Sequence, residues 1–450
     1  MAAPGKNATA RSPRIAIILA IAAVIVIAVA IVAGLQLMRR DDIGHVDGKA
    51  LAKELGLRSN QACGKDVEGF RLSPDDVRAP VFVPNASWHW TRRCLDDLLE
   101  ASLAADDDAE IHDFLERQVL RLLSRPLIRF HKAGDDQQFR LKQLVDRKSG
   151  AVSFDGVDRL SIVNRNDIAH NSLAQSLVGT WFLNAARALV EQGKRPDLAA
   201  EYETLGLAAL NVVLDPATAH GLSSAHPCEQ RPGETCTWYH AATKRSAEQP
   251  TEGGTLNKHL IVISRFAEAA DALTAMDAKA PDGPTREADV QRLRAAARAG
   301  LYQLVYADGH VAAGRPPNLF DYVARDPEGN AIARSWLYYG LNPSRDRPGY
   351  FLPNQFKNCH YHIVDIRALG NALGNVGGDA DLSGFRAPHP DLGGSILELM
   401  VRTLKLKQSE GMFADAPTTP PGNWAGCRPS MYSEKVANAA AEALLAAGQR

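Results

Sequence analysis

The sequence predicts an all-α fold: an (α/α) barrel or toroid of helical pairs with long loops on one rim, preceded by a single transmembrane helix. Three observations point there. Residues 15–38 form an unbroken apolar run. Segment after segment beyond it carries apolar residues at helical spacing. These segments come in consecutive pairs, set apart by long Pro- and Gly-rich stretches.

The apolar run is uncharged and built mostly from Ile, Val, Ala and Leu. At a rise of about 1.5 Å per residue it can cross a hydrocarbon core of about 30 Å. A buried core helix would show a polar stripe, and none appears before Gln36. Secretory signals have a shorter apolar region, roughly 7–15 residues, followed by small residues at a cleavage site. Here Ala28, Ala30 and Ala33 lie inside the run, so an uncleaved signal anchor is expected. The chain then divides into a cytoplasmic tail (1–14), the anchor (15–38), a polar stalk (39–84) and a helical toroid (85–450).

Flanking charge does not orient the anchor. Lys6, Arg11 and Arg14 precede it, and Arg39 and Arg40 follow at once. Cysteine usage decides instead. All six cysteines (Cys63, Cys94, Cys228, Cys236, Cys359 and Cys427) lie beyond the anchor, and none forms a CxxC pair. Scattered even-numbered cysteines fit structural disulfides in an oxidising compartment. The expected pairs are Cys63 with Cys94, Cys228 with Cys236, and Cys359 with Cys427. The short 228–236 loop has the most support, because both residues sit in one polar stretch containing Pro and Gly. With an Ala- and Arg-rich, bacterial-looking composition, the expected location is the inner membrane, with the C-terminal domain in the periplasm. A formal net charge of -1 and the lack of a basic block argue against nucleic-acid binding.

Helices are expected over 95–104, 109–124, 171–192, 198–214, 256–276, 285–305, 361–373, 392–406 and 432–447. In the third of these, Leu173, Leu177, Val178, Phe182 and Ala185 would face a core. The stretches 220–254, 309–358 and 411–430 read as long loops, and loops of that length are more often functional than decorative. A helical solenoid is the competing architecture, but no fixed repeat period appears.

Unusual polar residues gather where these helices begin. One cluster runs from Asn164 through Asp167 to His170 and Asn171. Another is Thr255-Leu-Asn257-Lys-His259. A third is Asn358-Cys-His360-Tyr361-His362 with Asp365, and a fourth runs from Arg428 through Tyr432 to Glu434. Helix N-termini favour anionic groups, so a rim of such starts suits a carboxylate-bearing substrate. His360 and His362 are two apart, so both reach one site only if the helix begins between them. The loop segments add Trp238, Tyr239 and His240, and further on Trp336, Tyr338, Tyr339, Arg345 and Arg347. Aromatics interleaved with cations and amides suit sugar rings. The plainer alternatives are N-caps for the Asn and Asp residues and packing for the aromatics. His360-Tyr361-His362 with Asp365 could hold a metal, but no HExxH spacing is present, and neither metal nor cofactor is expected. A Gly-rich phosphate loop, a GxSxG elbow and a Rossmann fingerprint are all missing from the sequence.

On these motifs the chain resembles the (α/α)-toroid polysaccharide lyases of the alginate-lyase type. Gly254-Thr-Leu-Asn257-Lys-His259 stands where such enzymes open an inner helix with an Asn-x-His pair, and Tyr239-His240 lies just upstream. The resemblance implies β-elimination beside a uronic acid in an anionic polysaccharide. Asn257 and His259 would neutralise the uronate carboxylate, which lowers the cost of the negative charge that develops at C5. Tyr239 or Tyr361 would then move the proton, assisted by His360 or His362. Trp238, His240, Trp336, Arg345, Arg428, Asn171 and His170 would bind neighbouring sugars. A glycoside hydrolase is the alternative enzyme, with Asp167, Glu252, Asp365 and Glu434 as candidate carboxylates. A uronyl C5-epimerase and a non-catalytic glycan-binding protein are further readings.

Overall fold

The computed structural model describes residues 128–398 except 136, 147, 163–170, 194, 218–220, 242–254, 281–284, 309–315, 323–340, 344–350 and 354–358. It also describes Leu99 and a few positions of 116–124, and only the backbone of 341–343, 351–353 and 359–364. The segments 15–38 and 39–84 lie outside the described residues, so the expected anchor and stalk do too. Among the described residues no helix is long and apolar enough to cross a membrane.

The fold is not all-α. In chain order the main elements are β1 (Ile128–Lys132), β2 (Val157–Ile162), α1 (Ser172–Glu191), α2 (Pro196–Leu214), β3 (Ser223–Pro227), β4 (Thr235–Tyr239), α3 (Leu256–Lys279), α4 (Glu287–Gln303), β5 (Leu341–Pro343), β6 (Phe351–Pro353) and α5 (Cys359–Val376). The strands pair as three antiparallel two-stranded sheets, β1 with β2, β3 with β4, and β5 with β6. Each strand is too short for a period-of-two pattern to stand out beside long helices. That is why the stretch around 220–240 reads as loop from sequence.

Helix pairing follows the sequence closely. Asn171 caps α1, its Oδ1 accepting the Leu173 and Ala174 N–H groups at 3.1 and 3.2 Å. Pro196 sits in the first turn of α2, where its missing N–H costs nothing. The α1–α2 hairpin packs closely because Gly179 and Gly206 face each other. A Cβ on Gly206 would lie 2.7 Å from Leu183 Cγ and 3.0 Å from the Gly179 carbonyl oxygen. α3 and α4 form a second antiparallel hairpin, with Gly300 against Ile263.

The two hairpins and α5 stand side by side. Asn184 of α1 donates to Glu268 of α3 at 2.7 Å, and Asn375 of α5 donates to Ser264 of α3 at 2.7 Å. Ser172, at the start of α1, donates to the Ala241 carbonyl just beyond β4. α1, α3 and α5 therefore run in the same direction, and the first two begin near the end of β4. α5 packs on α3 and α4, not as a neighbour of α1, so the described helices make an open row. The expected toroid is corrected on both counts: strands are built into the fold, and no ring closes among the described residues.

Two buried polar devices fix how the layers meet. Gln175, fully buried on α1, accepts the Ile162 N–H at 2.6 Å and donates to the Leu160 and Ala209 carbonyls at 2.8 and 2.9 Å. It thereby ties β2 and α2 to one helix with every amide position used. Arg286 bridges Glu203 at 2.8 Å and Asp277 at 2.9 Å, locking α2, α3 and the start of α4 together. Truncating Arg286 would leave two carboxylates without their cation.

Gly206→Ala should lower unfolding free energy by about 1–3 kcal/mol, because the closest neighbours are a helix carbonyl and a buried Leu. Gly374→Ala is the control, since an added methyl there meets nothing within 4 Å. It should be neutral, or stabilise by up to about 1 kcal/mol through helix propensity. Urea unfolding of the two variants checks both signs.

Candidate functional site

The hairpin β3–β4 delivers aromatic and imidazole groups to the point where the parallel helices begin. Its strands pair Ser223 with Tyr239, Ser224 with Trp238 and His226 with Cys236. The disulfide Cys228–Cys236 closes its tip, as the sequence led us to expect, with the sulfurs 2.01 Å apart. Arg231 in that tip lies over the Tyr302 and Tyr306 rings at 5.0 and 5.1 Å and pairs with Asp381. The hairpin is thus held at its tip as well as along its length.

His259 sits at the centre of this junction and is fully buried. Its Nδ1 accepts the Tyr239 N–H at 3.1 Å, and its Nε2 meets the Gly300 carbonyl at 3.0 Å. The second contact requires a proton on Nε2, so the ring is the neutral Nε2–H tautomer. Burial lowers its pKa to about 3. The Trp238 indole stacks on it at 4.1 Å between centroids, and Trp238 in turn stacks on Tyr322 at 6.4 Å. Tyr239 donates its hydroxyl to the Ala296 carbonyl at 2.8 Å.

These contacts change the roles expected of three residues. His259 has both nitrogens engaged by main chain, Tyr239 has its hydroxyl spent on α4, and Trp238 is fully buried with its ring stacked on His259. All three join β4 to α3 and α4 in this arrangement instead of facing a polymer. Asn171 is likewise occupied as a cap. The helix α5 begins at Cys359, ahead of both histidines. His360 and His362 therefore stand about 200° apart around it, so one regular helix cannot turn both toward one site. The side chains of Tyr361 and His362 lie outside the described residues. His170, Trp336, Arg345 and Arg428 lie outside the described residues.

What remains is a set of buried polar groups lacking partners around the same junction. Asp365 is 1% exposed, and neither carboxylate oxygen has a hydrogen-bond partner. Burial raises its pKa well above the usual carboxylate range. Its charge and that of Asp321 both bear on the buried Tyr322 phenol, whose pKa is raised chiefly by burial. Asn257, 8% exposed, leaves Oδ1 unpaired, and the Trp238 Nε1–H also lacks an acceptor. His240, 6% exposed, bonds Ser224 Oγ through Nε2 at 2.7 Å while its Nδ1 has no partner. Burial lowers its pKa to about 4. Most buried polar atoms in folded proteins are satisfied. Unpaired polar atoms also occur elsewhere, at Trp181 and Tyr202 for example, but here a carboxyl, an amide, an indole and an imidazole gather at one junction, a place suited to a polar ligand or bound water.

Sequence reasoning did not single out Tyr322 or Ser224. Tyr322 belongs to a single 3-10 turn, Leu319–Tyr322, set by Asn318, whose Oδ1 accepts the Phe320 and Asp321 N–H groups at 2.9 and 3.1 Å. The Asn318-Leu-Phe-Asp321 string carries that Asx signal. Ser224 carries no sequence signal at all, because only strand pairing brings it to His240.

The protonation states predict a specific acid response. The unfolded chain protonates His240 and His259 near pH 6.5, the folded chain only near 4 and 3. Their stabilising contribution is complete above about pH 6.5 and is lost as the pH falls toward 4. Asp365 opposes one of them, because the folded state keeps its proton where the unfolded state releases it. The two histidines alone should make the folding constant drop about a hundredfold per pH unit as the pH falls from about 6 toward 4, and Asp365, acting in the opposite sense, should make the parent's slope shallower than that of Asp365→Asn. Chemical denaturation at stepped pH measures both slopes. Comparison with known proteins finds no family model, no curated protein and no solved structure that matches this chain.

Proposed function

We propose that this chain is a carbohydrate-active enzyme, tethered to the inner membrane and working on polysaccharide in the periplasm, that cleaves a glycosidic bond by acid–base chemistry. The single observation that carries the reading is Asp365, a buried carboxyl without hydrogen-bond partners among the described residues, whose burial raises its pKa well above the usual carboxylate range. Such a group is a ready proton donor for a departing sugar oxygen. Asp321 supplies a second carboxylate within electrostatic reach of the same Tyr322. Its Oδ2 accepts the Asn318 N–H at 2.9 Å, which fixes the carboxylate in place. Two carboxyl groups in unlike environments are what hydrolysis of a glycoside needs. The Cys228–Cys236 disulfide supports an oxidising compartment.

β-Elimination on a uronate is the second reading, and the unpaired Asn257 is the observation that favours it. A side-chain amide at a helix start can pair with a substrate carboxylate, with His259 behind it as a fixed support. In the hydrolytic reading Asp365 is needed in its neutral form, so that rate should fall as the pH climbs through its raised pKa.

The purified full chain should be incubated with a panel of neutral and uronate-containing polysaccharides. New reducing ends without ultraviolet absorbance indicate hydrolysis, and absorbing unsaturated ends indicate elimination. Asp365→Asn should cut the rate of hydrolysis by about 10²–10⁴-fold without lowering the melting temperature at neutral pH, since it removes a carboxyl whose raised pKa costs stability there. No product across the panel, or full activity in Asp365→Asn, would count against the proposal.

A further inference from the structure

The glycan chemistry leaves one pair of side chains unused. Ser224 stands opposite Trp238 in the β3–β4 ladder, and His240 follows Trp238 by two residues, so the three share one face. Ser224 Oγ lies 2.7 Å from His240 Nε2. The neighbouring Ser223 shows what a structural hydroxyl does here: its Oγ bonds the Leu214 and Asp215 carbonyls at 2.8 and 2.9 Å. Ser224 has no such carbonyl partner among the described residues, and its hydroxyl meets an imidazole instead. Ser224 is partly exposed while His240 behind it is buried.

The pair is also rigidly mounted. The disulfide holds the hairpin tip, His259 and Ala296 hold Tyr239, and Ser172 holds the Ala241 carbonyl after His240. Burial keeps the His240 ring neutral at pH 7, the form that accepts a proton.

We infer that Ser224 and His240 form a nucleophile–base dyad for hydrolysis of carboxylic esters, an activity independent of the glycosidic chemistry. Ser224 Oγ would bond to the ester carbonyl carbon as its proton passes to His240 Nε2. The tetrahedral adduct then collapses, the ester C–O bond breaks, and the imidazolium returns the proton to the leaving alcohol. Water repeats the sequence on the acyl-serine: its proton goes to Nε2, its oxygen bonds the carbonyl, and the acid leaves with Ser224 restored. The Trp238 Nε1–H, buried without an acceptor, is a hydrogen-bond donor from the same face for the developing oxyanion. No described carboxylate bonds Nδ1, so turnover should be slow and covalent labelling the sharper readout.

The full chain should be treated with a fluorophosphonate probe and mapped by peptide mass spectrometry. A single adduct on Ser224 is expected, absent in Ser224→Ala and formed at least about a hundredfold more slowly in His240→Gln. Ser224→Cys gives a second test should the alanine variant unfold. Its alkylation by iodoacetamide should slow when His240→Gln is added. No adduct on Ser224 in the folded parent, or labelling and alkylation indifferent to His240, overturns the dyad.

Discussion

The imidazole of His259 holds the centre of the molecule together. One nitrogen takes a main-chain N–H from β4, the other gives its proton to a carbonyl of α4, and the ring stacks under Trp238. A strand hairpin and a helical hairpin are joined through one side chain. That joint works only while the ring is neutral, because a second ring proton would confront the Tyr239 N–H with another donor. The deep burial that drives the pKa down therefore maintains the bond pattern that makes the burial tolerable.

From this joint the placement of the polar groups follows. Tyr239 is drawn onto α4, which leaves Trp238 and His240 on the other side of the strand, facing the helix starts. Ser172 bonds the carbonyl just past His240 and brings the start of α1 to the same point. Tyr322, under Trp238, links the junction to Asp365 on α5. Orphaned polar atoms collect here because helix and strand ends meet here. Gln175 is the opposite case, bonding β2 and α2 through both ends of its amide, although Trp181 Nε1 and Tyr202 OH in the α1–α2 packing are also unpaired.

The histidine of the Asn-x-His pair illustrates how one motif supports two meanings. A polar pair opening a helix looks the same in sequence whether it faces substrate or the neighbouring hairpin. Which occurs depends on what packs against that turn, and here it is β4. Asp365 is the reverse case. In sequence it is an acid a few residues after a cluster of more conspicuous histidines. Only the packing of α5 makes it a buried carboxyl with a displaced proton affinity.

By itself the sequence determined the helices and their pairing, because apolar spacing, Asn171 as a cap, Pro196 in a first turn and Gly179 opposite Gly206 are local or nearly local signals. It also marked the Cys228–Cys236 pair, since two cysteines eight residues apart in one polar turn are well placed to bond each other. The strands escaped it, because five-residue hairpins gain their stability from partners distant in the chain and leave little periodicity of their own. The direction of each side chain at the junction escaped it for the same reason. Burial and hydrogen bonding at His259, Asp365 and the Ser224–His240 pair are set by elements separated by tens to more than a hundred residues. Only the tertiary structure could decide that the conspicuous histidine is bonded on both sides by main chain while Asp365, one of several acids the sequence offered, is the buried one with a raised proton affinity.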